Sequence, residues 1–254
     1  MSTDRFVVIG VAAVVIAGSA YFFWPRTPPP PPPAPTSAAP APPPAAPHYP
    51  VPAAAEPLPA LKDSDVTVLE SLRKLLGADA ITSLVPESII RNVVATIDNL
   101  PREQVSQRLN PVRPIGGGLK VKWRDGTLTL APENALRYGV YVSTFEKIDT
   151  SAAVALYFRL YPLFQQAYVE LGYPNGYFND RLIAVVDHLL DAPEPKAPVK
   201  LATPHVLYEF ADPDLESRSA GQKMLMRIGA ANEARVKTKL REIRKELVAK
   251  APAR

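Results

Sequence analysis

The sequence predicts one mainly α-helical domain with a small β-hairpin, preceded by a transmembrane helix and a disordered linker rich in proline and alanine. Three observations predict it. Residues 6–24 (FVVIGVAAVVIAGSAYFFW) run for 19 positions without a charge. Residues 25–60 hold 17 of the 30 prolines in this 254-residue chain. Beyond Leu58, apolar residues recur mostly at helical spacing, and clear alternation occurs only around Asp125-Gly126.

In chain order, residues 1–5 are expected as a cytoplasmic tail and 6–24 as an uncleaved signal-anchor. A helix of that length spans about 28 Å, close to the hydrocarbon thickness of a bilayer. Tyr21, Phe22, Phe23 and Trp24 end it with residues that favour the headgroup level. Ala17-Gly18-Ser19 resembles a signal-peptidase site, but cleavage there would leave those aromatics at a mature terminus. The short tail keeps the first residues in the cytoplasm and exports the rest. The chain is therefore expected at a bacterial inner membrane, single-pass, with its domain in the periplasm.

Residues 25–60 are almost uncharged and show no apolar face, so they are expected to stay unfolded and stiff, in polyproline II. Their upper reach is about 110 Å. The helical domain is expected over 61–250. Ser64 or Asp65 caps a first helix that Gly77 stops. Pro86 opens a second, with Ile89, Ile90, Val93, Val94 and Ile97 as its apolar stripe, and Pro101 a third, short one. LKVKW and TLTL flank Asp125-Gly126 as a hairpin. Pro132 opens a helix whose Leu136, Val140 and Phe145 are expected in the core.

Asp149, Thr150 or Ser151 caps the strongest helix, which Pro162 should kink or break and Gly172 closes. Tyr157, Tyr161, Phe164 and Tyr168 share one face of it, as core packing requires. A turn at Tyr173–Gly176, another helix, two short strands (VKLA and HVLYEF) and a final helix from Pro213 past Leu247, interrupted or bent near Gly229, complete the domain.

The chain has no cysteine, which excludes disulfide scaffolds, iron–sulfur centres and thiol enzymes. His48, His188 and His205 lie on separate elements, and no metalloprotease, nucleophile-elbow or P-loop motif occurs. No cofactor, metal or catalytic residue is expected. Net charge is +4, but residues 218–254 carry eleven Lys/Arg against three Glu. That basic end suggests an anionic partner, with Lys237, Arg241 and Arg244 on the exposed faces of the last helix. Tyr173 and Tyr177, around a turn, and Lys223 and Arg227 form a second candidate binding surface.

EPLPALKDSD, IIRNVVATIDNLPR, GYFNDRLIAVVDHLLDAP and YEFADPDLESRSAGQKMLMRIGAANEARVKTKLREIR resemble, in order, a bacterial family catalogued only as a domain of unknown function. The resemblance covers about 56–248, with Ser219, Gly221, Gln222, Lys223, Arg227 and Gly229 in its densest block. It implies a single-pass protein with a proline-rich spacer and supplies no catalytic residue. The leading expectation is a non-catalytic, inner-membrane-anchored envelope protein. Its partners would be the membrane, through residues 6–24, and another envelope component (protein, lipid or wall polymer), with no nucleic acid in that topology. The alternative is a cell-wall glycan hydrolase using carboxylates among Glu170, Asp180 and Asp187, which flank an aromatic turn.

Overall fold

Helix α1 (Asp65–Leu76) begins directly after Ser64 and stops where Gly77 predicts, with Gly77 at φ 84°. Ser64 does not cap it; its hydroxyl donates back to the Leu61 carbonyl. The Asp65 carboxylate instead reaches across the chain and accepts the consecutive N–H groups of Ser88 and Ile89 at 2.7 and 2.9 Å. That contact satisfies donors every helix N-terminus leaves orphaned. Helix α3 (Ile89–Asn99) accordingly begins at Ile89, three residues later than Pro86 predicts, with Ser88 left-handed at φ 51°. Between them lies the four-residue α2 (Ala78–Ile81). No helix follows Pro101: the chain turns and makes only a 3₁₀ turn at Gln107–Leu109.

The structure, a computed structural model, describes residues 46–52, 56–204 and 207–251, all within one unit, Pro44–Arg254. The expected anchor at 6–24 and the spacer up to residue 45 lie outside the described residues. Among the described residues no helix is long and apolar enough to cross a membrane.

Strands β1 (Val121–Arg124) and β2 (Thr127–Leu130) pair antiparallel in the expected register. Asp125 and Gly126 both have positive φ, 50° and 72°, as a two-residue turn matched to strand twist requires. The hairpin is fixed to α4 (Glu133–Lys147) by the buried Asn134, whose side chain accepts from the Lys120 N–H and donates to its carbonyl. Asn134 and Val142 are the buried residues of α4, so Leu136 and Val140 point outward at 79% and 73% exposure. Their expected place in the core is wrong: residues two positions from the buried row project from the far side of a helix.

Helix α5 (Thr150–Glu170) is capped by Asp149, which accepts the Ala152 N–H, and it runs unbroken past Pro162. Helix α6 (Phe178–Leu190) follows the Tyr173–Gly176 turn. The main core lies where α1, α3, α5 and α6 meet, around Val68, Ile90, Val94, Leu163 and Phe178. Strands β3 (Leu201–Ala202) and β4 (Glu209–Phe210) form a second, two-residue ladder beside β2.

The expected final helix is three pieces: α7 (Pro213–Glu216), α8 (Ala220–Arg227) and α9 (Ala230–Ala249). Gly229, at φ 92°, breaks α8 from α9. Gly221 lets α8 press on the end of α3: its N–H donates to the Leu100 carbonyl, and a Cβ there would meet Leu189 at 2.7 Å. Helix α9 packs on α4, α5 and α6 through Val236, Leu240, Ile243 and Leu247.

Part of the stretch expected as spacer, 25–60, is docked on the domain. Tyr49 and Val51 pack on the cluster of Val154, Phe158, Ile183 and Leu247, and Leu58 packs on the main core.

Candidate functional site

The three carboxylates proposed for glycan hydrolysis are each committed to a different neighbour. Glu170, at the end of α5, accepts two bonds from Arg91 of α3 and one from Gln166. The Arg91 guanidinium holds its carboxyl below the usual range, the opposite of what a general acid needs. Asp180, on the first turn of α6, accepts the His48 and Tyr49 N–H groups at 2.9 and 2.8 Å. Asp187, two turns or about 10 Å further along α6, forms a fork with Arg244 of α9.

The last helix is less exposed than its charges suggest. Lys237 is 2% exposed; its ammonium donates to the Ala192 carbonyl and Glu194 and lies 3.1 Å from Glu233. Lys239 is also buried, donating to the Ile148 carbonyl and Glu242. Lysine's long stem allows such burial when the head is paired. Arg244 is spent on Asp187, and Arg235 on Glu146 and Ser143. Of the expected trio, Lys237 is therefore internal, Arg244 is half-buried in an ion pair, and only Arg241 is exposed. Arg241 and Lys245, one turn apart and both exposed, make no hydrogen bond or ion pair among the described residues.

The second candidate surface is also largely internal wiring. Tyr173 stacks on Tyr168 with centroids 4.5 Å apart, and its hydroxyl donates to Asp98 at 3.1 Å. Tyr177 occupies the N-cap position of α6, half-buried, with no capping bond from its side chain. Lys223 binds Glu216 at 2.8 Å. Arg227 donates to the Tyr208 carbonyl and lies over the Phe210 ring, while its buried Nε has no hydrogen-bond partner among the described residues.

Two arrangements were not foreseen. Asp98, on α3 and 1% exposed, accepts from Arg181 of α6 at 2.8 Å and from Arg102 at 2.7 Å, besides Tyr173. Arg102 stands four residues from Asp98 in the sequence, whereas Arg181 is 83 residues away and no local signal marks it. His188 Nε2 lies 2.8 Å from the Ser219 hydroxyl, a spacing that nucleophilic pairs share. Ser219 is buried, however, and its oxygen also accepts the Gln222 N–H as the cap of α8. A cavity of about 350 Å³ between residues 56–60 and Pro162–Gln166 includes neither residue. The aromatic row on α5 is packing: burial pushes the Tyr157 hydroxyl well above its usual range and Tyr161 to about 12. Among the described residues, no group of three His, Cys, Asp or Glu gathers as metal ligands would.

A family model described as a protein of unknown function (DUF3014) matches residues 89–244, from the first residue of α3 to the Asp187 partner on α9. The chain belongs to that family. The match includes the whole Asp98 network, the Ser219 cap and the buried Lys237 cluster, so the DUF3014 region contains the interhelical wiring just described. Residues 46–52 lie outside it, although their hydrogen-bond partners Asn179 and Asp180 lie within. No curated protein and no solved structure matched the chain.

Proposed function

We propose that this DUF3014 protein is a non-catalytic, inner-membrane-anchored envelope protein whose periplasmic domain binds another envelope component with an anionic surface. The observation that carries the reading is the fate of the charged side chains. Glu170, Asp180 and Asp187 are consumed by bonds between elements, which weakens the hydrolase alternative. Arg241 and Lys245 remain exposed on α9. The uncharged run at 6–24 supplies the anchor, and the proline-rich stretch after it supplies the reach.

Two exposed cations give a weak, salt-sensitive attraction, since a Debye length near 8 Å screens them at physiological ionic strength. Association of the full chain, in neutral detergent, with anionic vesicles and with isolated wall sacculi measures it. Arg241→Glu combined with Lys245→Glu should lower association with the true partner at least about fivefold at low salt, the effect shrinking as salt rises. Association unchanged by the double charge reversal in both assays would contradict the proposed surface.

A further inference from the structure

The segment His48–Pro52 is bound to the domain the way a peptide ligand is bound. Successive N–H groups of an extended strand point to opposite sides, yet those of His48 and Tyr49 converge on the two oxygens of Asp180, because the chain bends there. The side-chain amide of Asn179, 0% exposed, donates to the Tyr49 carbonyl, and its oxygen accepts from the Tyr157 hydroxyl. Tyr49 and Val51 then enter an apolar cluster edged by Leu182, Ile243 and Val248. Pro50 and Pro52 follow these two anchors and restrict the chain before it docks. Main-chain recognition plus two side-chain slots is the pattern of peptide-binding grooves.

None of these groove groups is covalently near the strap: the bonds join residues 130–132 positions apart. We infer that the α5–α6–α9 groove is a recognition site for a peptide of the pattern aromatic–proline–aliphatic–proline, and that the chain's own residues 48–52 occupy it in cis. The partner class is a proline-flanked segment of another polypeptide, which must displace the strap. An internal ligand competes at millimolar effective concentration, so the unaltered chain holds its site mostly closed. This inference does not depend on the anchor or on the basic edge of α9.

The probe is a labelled synthetic peptide with the sequence of residues 45–53, AAPHYPVPA. Tyr49→Ala with Val51→Ala, in the full chain, should empty the groove, remove hydrogen-exchange protection at the residue-49 amide and bind the peptide at least about tenfold more tightly than the unaltered chain. Adding Asp180→Ala should abolish that binding while the helical spectrum persists. In the unaltered chain, isotopically labelled, millimolar peptide should speed exchange of the His48 and Tyr49 amides, a readout that survives even if the strap variant fails to fold. The inference is overturned by any of three results: an emptied groove that ignores the peptide, binding that is indifferent to Asp180, or strap amides whose exchange does not respond to peptide.

Discussion

Asp98→Ala should lower the stability of the domain by about 2–4 kcal/mol, toward the low side of what removing one partner of a buried ion pair costs. Asp98 is 1% exposed and, among the described residues, is the only carboxylate bonded to Arg181, whose side chain is 31% exposed. Without it the guanidinium keeps its bond to the residue-98 carbonyl but loses its counter-charge. The Tyr173 hydroxyl also loses its acceptor, which loosens the turn stacked on Tyr168. Partial hydration of Arg181 limits the loss. For a domain of this size the melting midpoint should fall by roughly 5–15 °C. Arg102→Ala is the control: its guanidinium is largely exposed, and surface pairs of that kind contribute little. Equal melting of Asp98→Ala and the unaltered protein would show that the network does not hold α3 to α6.

Lys237→Met should be the most damaging substitution on α9, costing about 3–5 kcal/mol near neutral pH. It strands Glu233, which is 0% exposed, lies 3.1 Å from the Lys237 ammonium and has no other partner for its two oxygens among the described residues. Burial already pushes the Glu233 carboxyl above its ordinary range, with Lys237 opposing. The folded state therefore holds that proton more tightly than the unfolded chain. The stability this contributes is present below the ordinary glutamate range and is lost as pH rises through the raised folded value. Removing Lys237 raises that value further, so the variant should melt closer to the unaltered protein at pH 5 than at pH 7.5. Glu233→Gln with Lys237→Met should recover most of the loss, because a neutral amide carries no charge to desolvate. Glu194, the other partner, is largely exposed and returns to water. A double variant no better than Lys237→Met would show that the cost is packing rather than charge.

Local chemistry in the sequence predicts several elements well. Gly77 ends α1, Asp149 caps α5, and Asp125-Gly126 turns the hairpin, because each signal acts within a few residues of itself. The helix at Pro86 is misplaced because its cap arrives from Asp65, 23 residues earlier. Leu136 and Val140 fit a core face by sequence but lie outside it, because periodicity marks a face without saying which neighbour covers it. The same gap affects the site. Eleven basic residues near the carboxy end read as a charged exterior, yet Lys237 and Lys239 turn inward because the Ala192 and Ile148 carbonyls, and Glu194, wait for them on other elements. Tyr49 and Val51 looked like spacer, since the Asn179 and Asp180 groups that bind their segment come 130 residues later.

The proposed function requires residues 6–24 to anchor the domain on the periplasmic side of the membrane. The direct measurement is a pair of fusions at the carboxy terminus of the full chain, expressed in a bacterium with two membranes. Alkaline phosphatase, which folds only after export, should be active, and a fluorescent protein that matures only in the cytoplasm should be dark. A bright fluorescent fusion with inactive phosphatase would contradict the account and return the basic end of the chain to cytoplasmic anions such as nucleic acid.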